Sequence, residues 1–367
     1  MKKILHIIKI TGISGAEKHL LSLLPELDKK KYDISILFLI EPKDEKNNFL
    51  EVFSQNEIKT NAIIIKSDFD LTIIYKLYKF IKKNKFDIVH THLIHSDIYG
   101  ALAAKMAKTP FLISTKHNDD PFRKNYFFQK INKVISLFVN KIIVISYYLQ
   151  KFTEKVEKIS SKKIIPIHYG IQIKKNVISN IKKEYKISDN TIILGIIARL
   201  VPQKGHIFLL KAFKLVLEKN PDTFLFIIGD GYLKNDLEKL ASILKIDSKI
   251  VFTGYKENVD EFISSFDIFI HPSLWEGFGL IFLEVMNFGK PIIATKVAAI
   301  PEIVIDNETG ILVPPENFTD LYSAIIKLIN DENLRKKMGE AGKQRLEKYF
   351  SREKMIKETE KIYDMLK

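Results

Sequence analysis

A chain of 367 residues with 46% hydrophobic content is long enough for about two domains, each with its own core. No apolar run reaches the roughly 20 residues that a membrane-spanning helix needs, and the absence of cysteine excludes disulfides and thiolate metal sites and fits a reducing cytoplasm. The formal charge of +14 points to an anionic membrane surface or an acidic substrate. A lysine-rich sequence style explains it equally well, because the lysines are scattered in pairs such as Lys82 and Lys83 rather than massed as a nucleic-acid binder would have them. Only five of the 58 basic residues are arginine: Arg123, Arg199, Arg335, Arg345 and Arg352.

The opening MKKILHIIKITG has the charged start of a signal peptide, but His6 and Lys9 interrupt it and no small-residue cleavage site follows, so it reads as a buried strand. Short apolar runs at 3–8, 33–40, 61–66, 87–92, 111–115 and 141–146 predict parallel strands, with helical patterns at 16–28, 71–83, 97–107 and 122–139 between them. The stretch 168–190 is polar and lysine-rich and reads as a linker. The alternation then restarts, with strands predicted at 191–198, 223–229, 249–254, 267–272, 291–295 and 310–315, and helices from about 318 onward. Continuous apolar strands between helices predict α/β architecture: two Rossmann-like, doubly wound domains, 1–170 and 171–350, and a last helix over 351–367. Ligands would bind outside the carboxyl ends of the strands, in the cleft between the domains.

In the first half, Gly12 and Gly15 sit in the turn after the first strand and offer a backbone anion site, although the full dinucleotide fingerprint is missing. His92 and His117 stand at the ends of the fourth and fifth strands, His117 beside polar Asn118 and Asp119, where either chemistry or a plain structural role would put them. His90 is expected to face elsewhere. The triplet Asp68-Phe69-Asp70 has a metal-binding look, but it follows a peripheral strand and is set aside. The segment 122–139 mixes Phe122, Tyr126, Phe127 and Phe128 with Arg123, Lys124, Lys130 and Lys133. That pattern suits an anionic membrane or a lipid-linked acceptor, and equally a helix packed on its own sheet.

In the second half, Arg199 follows a strand directly, Lys204 comes five residues later, and Gly205 opens the next helix. An arginine fork and a mobile lysine charge suit a diphosphate; a salt bridge and an exposed cation are the plainer reading. Gly229 and Gly231 permit a tight turn after the next strand. The stretch HPSLWEGFGLIFLEVMNFGKP, residues 271–291, says more. Gly277 and Gly279 leave the start of a helix unobstructed, so the backbone N–H groups of Phe278, Gly279 and Leu280 form an anion site with Glu276 just before it. Glu284, among apolar neighbours, needs donors such as a ribose diol or a neighbouring lysine.

Taken together, SGAEKHL, ARLVPQKG, GDG and HPSLWEGFGLIFLEVMNFGKPIIAT resemble glycosyltransferase family 4, with its two glutamates separated by seven residues at Glu276 and Glu284. The resemblance spans almost the whole chain. It implies a GT-B fold and retaining transfer of a sugar from a nucleoside-diphosphate sugar to a glycan or lipid-linked acceptor, for cell-surface polysaccharide or glycolipid assembly, with no metal or other cofactor. By that resemblance Arg199 and Lys204 bind the leaving diphosphate, Glu276 the donor sugar, Glu284 the ribose, and residues near Gly254 and Tyr255 the base. Gly15 and Gly229 lie near the donor, His117 near the transferred sugar and the acceptor, and the final helix returns to the first domain. His92 and Asn118 remain acceptor-side candidates. One departure is Ser14-Gly15, where the family has paired glycines. A glycoside hydrolase also uses two carboxylates but needs no phosphate cradle. A nucleotide-sugar epimerase on the same fold and a non-catalytic sugar-binding protein are the remaining alternatives. The expected location is cytoplasmic, at the membrane face if the basic aromatic helix docks there.

Overall fold

The structure is a computed structural model that describes residues 1–10, 12, 15–44, 49–66, 70–119, 121–175 and 177–365. It divides into two units, one of Met1–Gln172 with Arg352–Lys367 and one of Ile173–Ser351.

The first unit is built on seven parallel strands: β1 (Lys2–Ile10), β2 (Tyr32–Ile40), β3 (Lys59–Ile64), β4 (Ile88–His92), β5 (Phe111–Lys116), β6 (Lys141–Val144) and β7 (Ile164–Pro166). They lie in the order β3-β2-β1-β4-β5-β6-β7. Ile4, Leu5, Ile7, Ile8 and Ile10 of β1 are all buried, as expected of a central strand covered on both faces. Register pairs His6 with His90 and Ile8 with His92. The second unit carries β8 (Ile192–Ile197), β9 (Thr223–Ile228), β10 (Ile250–Gly254), β11 (Ile268–His271), β12 (Ile292–Thr295) and β13 (Gly310–Val313), in the order β10-β9-β8-β11-β12-β13. Its core joins Leu194, Ile196, Leu225 and Ile227 of the sheet to Leu209, Phe213 and Val216 of the helix His206–Lys219.

Twelve strands fall on the predicted apolar runs. Strand β7 was not anticipated, because three residues at a sheet edge ending in Pro166 carry almost no pattern. The segment 122–139 is a 3₁₀ turn, Pro121–Lys124, followed by the helix Tyr126–Phe138, whose start is fixed by the Asn125 side chain accepting from Phe127 N. The helix predicted at 97–107 begins earlier, at Leu93, directly after β4.

The helix Arg352–Asp364 packs into the first unit. Met355, Ile362 and Tyr363 join the core that contains Ile4, Leu20 and Phe38. Tyr32 Oη donates to Asp364 at 2.6 Å, Asp28 N donates to Glu360 at 2.9 Å, and Arg352 pairs with Glu26 at 2.9 Å. Three buried side chains at about 1.5–3 kcal/mol each make this helix integral to the unit. Truncation after Ser351 should therefore lower the denaturation midpoint of the first unit, losing roughly 5 kcal/mol, and should open β1 to proteolysis. An unchanged urea transition would refute this packing role.

Candidate active site

In the second unit the strand order reverses between β8 and β11, the place where open parallel sheets collect ligands beyond their carboxyl ends. The loops leaving these strands are stitched together. Leu274 N donates to Gln203 O at 2.7 Å, and Gln203 Nε2 donates to Trp275 O at 2.9 Å. Gly205 has φ +66, and a Cβ there would stand 2.0 Å from Pro272 O, so only glycine lets the two loops meet. Gly229 (φ +135) presses equally closely on Ala198 O, at 2.0 Å from an added Cβ, and its N–H donates to Gly254 O at 2.9 Å. The exits of β8, β9, β10 and β11 thus form one continuous rim.

Lys204 and Glu276 meet on this rim in a close, half-buried ion pair. His271 Nε2 lies 3.3 Å from the same carboxylate oxygen, and Ser273 Oγ donates to it at 3.4 Å. Burial opposes charge on Glu276, but Lys204 and His271 outweigh it and hold the carboxyl down at about 2. Arg199 is exposed at the exit of β8 and has no ion-pair partner among the described residues. Tyr255, 68% exposed, follows β10. Phe278 is buried edge-on to Phe350 at 6.0 Å, so its side chain belongs to the core and its backbone is what remains for a ligand. Gly279 caps the helix Leu280–Asn287 with no side-chain cap bond, and Glu284 is half-buried in that helix. His206 and His271 were not singled out from sequence. His206 is buried with neither ring nitrogen bonded among the described residues, and burial, then His271 and Lys204, lower its pKa to about 3. Its one sequence signal was its place directly after Gly205.

In the first unit the reversal falls between β1 and β4, and His6, His90, His92 and His117 meet there, with buried His19 5.8 Å from His117 between ring centroids. His92 ends β4 and His117 follows β5. His90 lies on the same face as His92, with ring centroids 4.4 Å apart. This corrects the expectation that it faces elsewhere, because residues two apart in a strand point the same way. His90 Nε2 lies 2.6 Å from Thr115 Oγ1, and His90 Nδ1 lies 2.9 Å from Tyr363 Oη, which is 3.3 Å from His6 Nε2. His6 Nδ1 lies 2.9 Å from His92 Nε2, and His92 Nδ1 lies 3.0 Å from His117 Nε2. His117 Nδ1 is in close contact with Tyr169 Oη. Both ring nitrogens of His92 and of His117 are therefore engaged. Asn118 is half-buried beside them, and its Oδ1 is buried with no hydrogen-bond partner among the described residues. Leu93, directly after His92, has φ +66, a strained conformation for a branched side chain and a frequent mark of functional turns. Gly15 is exposed at the start of the helix Gly15–Leu23; Ser14 lies outside the described residues. His6, Tyr169 and Tyr363 were missed from sequence, and only His6, interrupting an apolar strand, left a signal.

His6, His90 and His92 have ligand atoms within 4.8 Å of one another, the only metal-like grouping among the described residues. Hydrogen bonds occupy all their nitrogens, and no carboxylate joins them among the described residues. Asp68 lies outside the described residues. Among the described residues no helix is long and apolar enough to cross a membrane.

Two doubly wound parallel sheets, each with its polar groups gathered at a reversal point, define the GT-B class, and known proteins agree. The family model described as Glycosyltransferase Family 4 matches residues 13–175, and that described as Glycosyl transferases group 1 matches 177–345. An uncharacterised glycosyltransferase of Methanocaldococcus jannaschii is 32% identical over 313 residues, 80% of this chain and 77% of the relative. The UDP-Gal:alpha-D-GlcNAc-diphosphoundecaprenol alpha-1,3-galactosyltransferase of Escherichia coli is 26% identical over 349 residues, 90% of this chain and 89% of the relative. Among solved structures, Anabaena HepE in complex with UDP-glucose superposes with a TM-score of 0.85 at 20% identity, over 100% of both chains. The chain belongs to glycosyltransferase family 4 and is a GT-B glycosyltransferase.

The buried histidines make stability depend on pH. Burial holds His6 and His19 at about 3, below the usual 6.5, and burial together with neighbouring imidazoles holds His90 and His92 well below it too. His117 is lowered likewise, by burial, His19 and Arg123. The unfolded chain takes up these protons below about pH 6.5 and the folded chain does not. Stability is therefore complete above that pH and lost as pH falls toward 3, by roughly 2 kcal/mol per ring at about pH 5. Urea midpoints should drop steeply from about pH 7.5 to about pH 5; a flat profile would contradict the buried neutral rings.

Proposed function

We propose that the protein moves a sugar from a nucleoside-diphosphate sugar to a lipid-linked or glycan acceptor with retention of anomeric configuration and without a metal ion. The observation that carries this reading is the Lys204–Glu276 pair on the rim of the second sheet, with exposed Arg199, which has no ion-pair partner among the described residues, at the exit of β8. The pair is a lock that a nucleotide sugar fits on both sides. Its diphosphate takes over Lys204 while its sugar hydroxyls donate to Glu276, so neither buried charge is left uncompensated. Arg199 adds a bidentate grip. The backbone N–H groups of Phe278, Gly279 and Leu280 add the positive end of a helix.

With these donors fixed before the bond breaks, charge developing on the departing diphosphate is stabilised electrostatically, as a metal would otherwise do. Glu284 binds the ribose, Tyr255 the base, and Gly15 and Gly229 allow close backbone approach to the donor. His92, His117 and Asn118 form the acceptor side, where Asn118 Oδ1, without a hydrogen-bond partner among the described residues, suits a hydroxyl donor. No protein nucleophile is assigned: as in the family, attack comes on the face the diphosphate leaves, and a departing phosphate oxygen takes the acceptor proton. A relative that acts on a diphosphoundecaprenol substrate supports a lipid-linked acceptor and a place in cell-surface polysaccharide or glycolipid assembly.

We place the enzyme at the cytoplasmic membrane face. On the helix Tyr126–Phe138, Tyr126, Phe127, Val134 and Leu137 are exposed by 68, 64, 53 and 70%, with Lys130 over the Tyr126 ring at 4.5 Å. Aromatic and basic side chains exposed together suit an anionic bilayer.

Arg199→Ala should leave the fold intact and lower turnover of the nucleotide sugar by at least about 100-fold, read as nucleoside diphosphate release; near wild-type release would refute the assignment. Product analysis with and without acceptor separates transfer from epimerisation. Phe127→Ser with Lys130→Ser should reduce co-sedimentation with vesicles containing anionic lipid, and undiminished binding would retire the membrane reading.

A further inference from the structure

The histidines of the first unit are more tightly constrained than a cluster needs to be. A neutral imidazole carries one N–H and one bare nitrogen. A neutral ring bonded at both nitrogens therefore donates from one and accepts at the other. If His92 donates from Nδ1 to His117, it accepts at Nε2, and His6 must donate from Nδ1. His6 then accepts at Nε2 from Tyr363, and Tyr363, having given its only proton, accepts from His90 Nδ1. His90 in turn accepts at Nε2 from Thr115. Only two arrangements satisfy every group: His6, His90, His92 and His117 all carry Nδ1–H, or all carry Nε2–H. Every mixed state leaves a buried donor or acceptor without its partner, at about 1–3 kcal/mol.

We propose that these four rings and Tyr363 form one proton-ordered row, all four in the same tautomer, which makes Tyr363 and Tyr169 positioning residues for the tautomer of His117. Burial keeps the rings neutral, which the ordering requires.

The catalytic consequence rests on the reading of His117 as an acceptor-side residue. The row engages both of its nitrogens, Nε2 with His92 and Nδ1 with Tyr169, so neither is free to take a proton from an acceptor oxygen, which leaves proton removal to the departing phosphate. The order of the row does not depend on that reading.

Nitrogen NMR of the full chain with ¹⁵N-labelled histidine rings tests the row directly. The expected spectrum shows the four rings in one and the same neutral form, all protonated at Nδ1 or all at Nε2; a mixture of the two tautomers among them overturns the proposal. Tyr169→Phe should move the ring signals of His90 as well as those of His117, and in a Tyr363→Phe background the effect should stop at His6. A response confined to His117, or one that reaches His90 undiminished without the Tyr363 hydroxyl, also overturns it. Should Tyr363→Phe not fold, the wild-type tautomer assignment alone decides.

Discussion

The reversal of strand order in each sheet is the constraint on which the rest depends. A strand buried on both faces has no room for polar side chains, because a buried polar group without a partner destabilises the fold. Where the order reverses, consecutive connections leave toward opposite faces and the carboxyl ends of two neighbouring strands diverge. Both units place buried polar chemistry there: Lys204, Glu276 and His271 at β8 and β11, and His6, His90 and His92 on β1 and β4. Buried elsewhere in the first sheet, Lys116 of β5 is paired within the fold, with Glu157 at 2.9 Å.

The two sites solve the same desolvation problem in opposite ways. At the second sheet, opposite charges are buried together, and attraction to Lys204 and His271 overcomes the cost of burying the Glu276 carboxylate. At the first sheet, charge is given up: burial keeps the imidazoles neutral, and a closed set of hydrogen bonds satisfies them. A charged pair can be opened by a ligand that supplies both replacements. A neutral ordered row is harder to open, because every ring nitrogen in it is already engaged.

The strands were legible because each is an unbroken apolar run that length and flanking residues distinguish from a helix. Strand β7 failed that test, being three residues long. The residues of the second-sheet rim were also legible one at a time, because glycine spacing marks where backbone must approach backbone. What was not legible was that Lys204 and Glu276 bind each other, 72 positions apart in sequence. A pattern of residue types says which groups share a rim but not which of them pair before a ligand arrives. The histidine row was less legible still. His90 was misassigned through a parity error that the period of two corrects, and Tyr363 reaches His6 across 357 positions, a distance over which no local spacing carries information. The return of the last helix to the first unit likewise came from family resemblance and not from its own charged composition.

On the proposed reading, the pairing of Lys204 with Glu276 also bears on selectivity. While the pair is closed, the charge that an approaching diphosphate meets on the rim is chiefly that of Arg199, because Lys204 is already neutralised. A nucleoside diphosphate without a sugar can recruit Lys204 only by leaving Glu276 half-buried without its cation, and removing one partner of a buried pair is strongly unfavourable. A nucleotide sugar avoids that state, since its hydroxyls donate to the carboxylate as the phosphate takes the ammonium. Full anchoring of the diphosphate is therefore conditional on the sugar. The same pair that stabilises the empty rim would favour the substrate over its spent leaving group, and it would help to expel the nucleotide once the sugar has moved on.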